Sequence, residues 1–538
     1  MVVPELRAWR AARPHVARVA RSVGPRLVRV AEAVKPPLVR ASEAVKPPLA
    51  RAAGAVKPLV KRPSTVQFTT GAATLGLVVA ATVVTVAGPW DSTGQRTAER
   101  DWAASRERTG GTDHGRVPGT SGKEPAPAPS AASVLVSVGA AVGSVPSPSE
   151  KALANVLGPL LDDPALGTDR AGAVVDLATG KRLYGKGADD ALTPASTTKI
   201  ATAVAALTAA GADHRIATRA VLEPGTEEVV LVGGGDPTLT ARKDADGNAS
   251  LRALADDTAR ALASRKGGRV TLSYDTSLYA GSTTHPIGPN TNLAPVTALM
   301  ADEGRLNDSS SGPANRSEDP AGDAARKFAD LLHERGVETT VPGRSKASDR
   351  AKTLATVQSP PLSALVERML TSSDNDIAEA LARQTALAAG EPVSFKGGGT
   401  AVREQLKKLD LPLKGVRFAD GSGLDRADKL TADLLTALLA EAADPDRPEL
   451  RPVLTGLPVA GFTGTLSKRY ADRPGTGVVR AKTGTLTGVH TLAGTVVDTE
   501  GRLLAFAFLT ESDPPANPAT AQQGLDELAS TLATCGCD

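Results

Sequence analysis

The chain has 538 residues, 41% hydrophobic and 22% charged, with a formal net charge of +3 and two cysteines. Its length exceeds the ~100–200 residues of a typical domain, so it holds one large or two smaller globular units with accessory segments. Met1–Arg62 carries fourteen Lys and Arg against three Glu, which leaves the rest mildly acidic. A basic overall pI therefore reflects a tail and is no sign of nucleic-acid affinity.

Within that tail, residues 1–65, the unit Glu32-Ala33-Val34-Lys35-Pro36-Pro37 recurs at Glu43–Pro48 and, degraded, at Gly54–Pro58, an 11-residue period. Proline in each unit removes a donor and pushes its predecessor out of helical geometry, so broken turns are expected. A solvated tail, a cytoplasmic partner or attraction to anionic lipid all fit this composition. Residues 66–88 then form an apolar run with no charge from Phe68 to Gly88, long enough to cross a bilayer. Lys61 and Arg62 before it keep the N-terminus inside, which makes the run a single-pass signal anchor with everything after Trp90 outside. A cleavable signal peptide is the rival, but the preceding region is much longer than a usual signal n-region. Residues 89–148, rich in Ser, Thr, Gly, Pro and Ala, read as a disordered linker.

The body begins with a predicted helix over Ser149–Leu160 and a hairpin of Ala171–Asp176 with Lys181–Tyr184. Pro194-Ala195-Ser196-Thr197-Thr198-Lys199-Ile200 opens an apolar helix that ends at Gly211. From Ala212 the pattern changes to strands at Arg219–Leu222, Val229–Val232 and Val270–Tyr274 and a helix over Ala249–Ser264, an α+β insertion. Ser373-Asp374-Asn375 falls between two helical patterns, where Asp374 or Asn375 is a candidate cap. Asp420-Gly421-Ser422-Gly423 reads as a turn. Val478–Leu486, Thr491–Val497 and Leu503–Leu509 read as an antiparallel meander, closed by a helix over Ala519–Leu532. Cys535 and Cys537 fall in a C-terminal tail, 534–538; outside the membrane they could oxidise together or to a partner, although a bridge two residues apart would be strained, and the simpler reading is a dispensable tail.

Three short patterns carry the chemistry. Ser196 and Lys199, three apart at a helix start, share one face, which makes Lys199 a base for Ser196 if burial and a nearby cation such as Lys482 depress its pKa. Ser373 is placed to pass a proton to the leaving amine, and Asn375 to orient substrate or Lys199. On the first strand of the meander, Lys482 and Thr483 offer a cation and a hydroxyl to a free carboxylate, and Gly484 permits close approach. The N–H groups of Ser196 and Thr485 would form the oxyanion hole. A site built for a terminal carboxylate implies a C-terminal peptide bond as the target.

The set Ser-x-x-Lys, Ser-x-Asn and Lys-Thr-Gly, in that order, resembles the motifs of low-molecular-mass class C penicillin-binding proteins, the D-alanyl-D-alanine carboxypeptidase/endopeptidase family. Gly235–Leu239, Ala294–Leu299 and Asp420–Leu424 resemble further stretches of that family, and the likeness covers about 149–533. Residues 196 and 373 are 177 apart, a gap too long for a class A β-lactamase and explained by the family's inserted domain. The resemblance implies a mixed α/β (α+β) fold: a transpeptidase-like catalytic domain, 149–211 and 350–533, whose antiparallel sheet is flanked by helices with a helical subregion, plus an inserted α+β domain, 212–349. It also implies a bacterial enzyme that hydrolyses D-Ala-D-Ala in peptidoglycan stem peptides and is acylated by β-lactams. A β-lactamase, or a non-catalytic cell-wall binding protein with a decayed site, is the alternative.

No cofactor or metal is expected: the six His include no His-Glu-x-x-His. Asp244–Asn248 lacks the Gly and bidentate Glu of a calcium loop. Gly233-Gly234-Gly235 lacks both Rossmann spacing and a P-loop Lys, and reads as a turn.

Overall fold

The computed structural model describes residues 148–263 and 269–535; the basic repeats, the apolar run at 66–88 and the linker lie outside them. Helix α1 (Glu150–Leu161) is capped by the Ser149 hydroxyl, which accepts from the Ala152 N–H. Strands β1 (Asp169–Asp176) and β2 (Arg182–Lys186) follow, then α2 (Thr198–Ala210). The insertion supplies β3 (Ala217–Leu222), β4 (Glu228–Val232), α3 (Leu251–Leu262), β5 (Arg269–Asp275), α4 (Pro320–His333), β6 (Glu338–Thr339), β7 (Gly343–Arg344) and β8 (Lys352–Gln358). After it come α5 (Leu362–Ser372), α6 (Asn375–Ala389), α7 (Phe395–Lys408), α8 (Ala432–Ala443) and the single turn α9 (Pro452–Thr455). The chain closes with β9 (Val479–Leu486), β10 (Val489–Val497), β11 (Leu503–Glu511) and α10 (Pro518–Ala533).

The first sheet has the order β2-β1-β11-β10-β9, antiparallel throughout. Both faces of its central strands are buried, because helices cover each side. On β11 the period-two alternation sorts residues by size: Phe506 and Phe508 join the core shared with α1 and α10, while Ala505, Ala507 and Leu509 face the core of α2, α5, α6, α7 and α8. Small residues on that second face let α8 approach the sheet closely. From Ile200 to Leu207 α2 is buried all round, the mark of a helix inside a core.

The insertion builds a mixed sheet, β6-β5-β4-β3-β8 with β7 beside β5, over its own core with α3 and α4. Strand β8 pairs with β3, so the insertion's sheet extends to Gln358, past the boundary at 349 expected from sequence. Cys535 is also unlike a dispensable tail: it is buried in the α1/α10 core and is disulfide-bonded. Among the described residues no helix is long and apolar enough to cross a membrane.

Candidate active site

Ser196 sits one step earlier than the sequence suggests. It lies in a 3-10 turn, Ala195–Thr197, that runs into α2. The turn is entered through Ala195 at φ +48° and pinned by Pro194, whose carbonyl accepts from the Thr197 hydroxyl at 2.7 Å and the Thr491 hydroxyl at 2.8 Å. Thr491 belongs to β10, so the sheet itself sets the height of the nucleophile.

Lys199 follows on α2 and is fully buried. Its Nζ lies 3.0 Å from Ser196 Oγ, 2.7 Å from Asn375 Oδ1 and 2.6 Å from the Ser422 carbonyl oxygen. Burial drives its pKa down to about 8, against the opposing pull of Asp420, Glu379, Asp374 and Asp428. Of the two causes expected from the sequence, burial and a neighbouring cation, burial is the one that lowers it.

Ser373 caps α5 in the left-handed region, φ 58°. Asp374 caps α6 by accepting from the Ile377 N–H, which frees Asn375 to face Lys199. The insertion grips this corner: Asn375 Nδ2 donates to the Asn292 carbonyl at 2.9 Å, and Asp376 accepts from the Ala294 N–H at 3.0 Å and pairs with Arg316 at 2.8 Å. Glu303, also from the insertion, pairs with Arg305 at 2.8 Å and with Arg368 of α5. Burial and the neighbouring Asp374 raise the Glu303 carboxyl to about 8. Burial likewise lifts Asp376 to about 7, although Arg316 opposes it.

Strand β9 forms the opposite wall. Lys482 is fully buried and donates from Nζ to Ser373 Oγ at 2.9 Å and to the Thr483 carbonyl at 2.7 Å. Burial first, then the charge of Lys199, holds its pKa well below the ordinary lysine range. Gly484 packs directly on the nucleophile turn: a Cβ there would lie 2.1 Å from Thr491 Oγ1 and 2.6 Å from the Pro194 carbonyl oxygen. At the outer edge of the sheet the Ala481 N–H donates to the Pro458 carbonyl at 3.0 Å. The two-residue period of a strand sends the N–H groups of Thr483 and Thr485 toward that same edge. Thr483 Oγ1 lies 3.0 Å from Thr465 Oγ1.

Ser196, Lys199, Ser373, Asn375, Lys482, Thr483, Gly484 and Thr485 therefore meet in one groove between the two wings of the catalytic domain. Sequence reasoning missed the support beneath it. The Asp420–Gly423 turn delivers the Ser422 carbonyl to Lys199, and Gly423 (φ +81°) has no room for a Cβ, which would meet the Ala195 carbonyl oxygen at 1.9 Å. Glu379 Oε1 accepts from the Gly421 and Ser422 N–H groups at 3.1 and 3.0 Å, and Asp420 Oδ1 from those of Ser422 and Gly423 at 2.9 and 2.6 Å. The signal available was Glu379 and Arg383 four apart on an alanine-rich helix, a pattern that reads equally well as a surface pair. Here the pair is buried at 3.0 Å, with the guanidinium 4.1 Å from the Phe395 ring centre.

A two-wing fold with a Ser–Lys pair at the foot of an edge strand defines an acyl-transferring serine hydrolase of the penicillin-binding class. A family model described as the D-Ala-D-Ala carboxypeptidase 3 (S13) family matches residues 153–312 and 307–532. The chain belongs to that family: it is a low-molecular-mass class C penicillin-binding protein and a serine-type D-Ala-D-Ala carboxypeptidase. Carboxypeptidase Rv3627c of Mycobacterium tuberculosis is 36% identical over 431 residues, 77% of this chain and 91% of that protein. Carboxypeptidase DacB of Mycolicibacterium smegmatis is 38% identical over 416 residues, 73% and 86% respectively. Among solved structures, penicillin binding protein 4 of Haemophilus influenzae shares the fold with a TM-score of 0.59 at 21% identity, over 71% of this chain and 99% of that one.

Proposed function

We propose that the protein removes the terminal D-alanine from peptidoglycan stem peptides through an acyl-enzyme on Ser196. The observation that carries this reading is the set of partners around Lys199 Nζ. Asn375 Oδ1 and the Ser422 carbonyl only accept hydrogen bonds, whereas Ser196 Oγ also donates one. A neutral amine that gives its two protons to the two acceptors aims its lone pair at the Ser196 hydroxyl.

Lys199 then takes the Ser196 proton as Oγ attacks the carbonyl carbon of the penultimate residue. The N–H groups of Ser196 and Thr485 receive the developing oxyanion. Ser373, held by Lys482, passes a proton to the departing D-alanine nitrogen and is refilled by the proton that Lys199 took, so the C–N bond breaks to leave an ester on Ser196 and a neutral Lys199. Water then attacks that ester, and Lys199 accepts its proton and returns it to Ser196 Oγ as the acyl–oxygen bond breaks, which frees the shortened peptide and restores the enzyme. Lys482 and the Thr483 hydroxyl take the substrate's terminal carboxylate, whose charge offsets the burial and the nearby Lys199 that hold the Lys482 pKa down. Gly484 lets β9 lie close enough for this. A β-lactam acylates Ser196 by the same attack, and its tethered leaving group slows hydrolysis. Cross-linked stem peptides are a second substrate class, cleaved by endopeptidase action when the leaving amine belongs to a neighbouring stem.

Labelled penicillin should form a stable adduct on the protein, absent from Ser196→Ala, and a pentapeptide ending in D-Ala-D-Ala should release D-alanine. Rapid turnover of the penicillin would instead indicate a β-lactamase, and no product from peptide or cross-linked wall fragments would rule out hydrolysis altogether.

We further propose a single-pass bacterial membrane protein. Residues 66–88 are its anchor, the basic repeats lie inside against anionic lipid or a cytoplasmic partner, and the catalytic domain is outside. Intact mass of the membrane-bound protein tests this; a mature form that begins near Gly88 would refute the anchor.

A further inference from the structure

We propose that His285, in the inserted domain, is a positioning residue for Lys199, acting through Asp420 and the Ser422 carbonyl. This rests on the reading of Lys199 as the base. His285 is buried, and its Nε2 lies 2.9 Å from Asp420 Oδ2. The Ile287 N–H faces Nδ1 at 3.3 Å, so Nε2 carries a proton whether the ring is neutral or charged, and it always donates to Asp420. The ring is wedged edge-on against Phe395, centres 5.1 Å apart. Phe395 is in turn covered by the Arg383 guanidinium, which pairs with Glu379.

Asp420 is the hub of the turn. Besides the two N–H groups on Oδ1, its Oδ2 accepts from the Asp425 N–H at 2.8 Å and the Ser422 hydroxyl at 3.2 Å. Burial pushes this carboxyl up, but the hydrogen bond and charge of His285, together with the Asp428 side chain and the Gly423 N–H, outweigh burial and hold it at about 2. The carboxylate thus stays ionised with every lone pair engaged, and the turn it collects can present the Ser422 carbonyl in only one direction. That direction matters because a carbonyl that drifts releases one N–H of Lys199 and lets the lone pair swing away from Ser196. Binding of substrate does not involve His285; alignment of the base does. The insertion therefore reaches the reaction from two sides, through Asn292 on Asn375 and through His285 on Ser422.

The test compares two amides. In His285→Gln the side-chain nitrogen reaches the place of Nε2 and can still donate to Asp420; in His285→Asn it reaches only the place of Nδ1. Acylation by labelled penicillin is resolved into a dissociation constant and a first-order acylation rate, with the adduct mapped by mass to Ser196. His285→Asn should lose about 10- to 100-fold in the first-order rate, the cost of a misaligned reacting group, with its dissociation constant unchanged. His285→Gln should stay within about threefold of the parent. Equal rates for the two amides, or a loss confined to the dissociation constant, would overturn the proposal. A parent protein that is acylated elsewhere than Ser196 would overturn the underlying reading instead.

Discussion

The depressed pKa of Lys199 makes a quantitative claim about how acylation depends on pH. With an ordinary value of 10.5 against about 8 in the site, the neutral fraction at pH 7 rises from roughly one in 3,000 to roughly one in ten. That is about 300-fold, or about 3 kcal/mol at ~1.4 kcal/mol per pH unit. Deprotonation creates the base, so the acylation rate should climb close to tenfold per pH unit between pH 5.5 and 7.5 and flatten above about 8. Stopped-flow acylation with a chromogenic penicillin at saturating concentration reads this directly. Lys199→Arg keeps a cation that does not deprotonate, and it should show no measurable acylation at any pH. A rate flat from pH 6 to 8.5, or an active Arg variant, would refute the assignment of Lys199 as base.

The same buried lysine should tax the fold. Its folded pKa lies below its unfolded value, so the cost is fully present below pH 8 and disappears as pH rises toward 10.5. Lys199→Met should therefore raise stability at pH 7 by about 1–3 kcal/mol in urea melts, with the gain shrinking by pH 10. Gly484→Ala places a methyl 2.6 Å from the Pro194 carbonyl oxygen; we expect about 1–3 kcal/mol of overpacking and loss of Ser196 acylation, read by unfolding and by labelling. Arg316→Met strands Asp376 in the interior and should cost about 3–5 kcal/mol. Because Asp376 escapes that cost by taking up a proton, the drop in melting temperature should be smaller at pH 6 than at pH 8.5.

The catalytic groups were legible because spacing and order carry them: a Ser and a Lys three apart need only a helical start to meet. Ser373 and Asn375 were legible for the same reason, since a helix cap between them turns their side chains inward. Local pattern could not show that β1 pairs with β11 across more than 300 residues, nor that the Asp420–Gly423 turn points its Ser422 carbonyl at Lys199. His285 was counted among histidines without metal-ligand spacing and set aside. Its role depends on Asp420, 135 positions away, and no periodicity records such a contact. The limit at Gln358 was missed because a strand's sequence does not say which sheet it joins.

The sheet order has a consequence for the protein's manufacture. Strand β1 leaves the ribosome long before β11, yet β11 is the strand that joins it to β10 and β9. Until the last ninth of the chain, from Val479 on, exists, Ser196 has no Thr491 beneath it, no Lys482 opposite and no edge strand to line up a peptide. The long-range closure this demands is slow, but it also means that no unfinished chain holds an assembled hydrolytic centre. Chains stopped before Val479 lack both Lys482 and Thr491 and should not be acylated by penicillin.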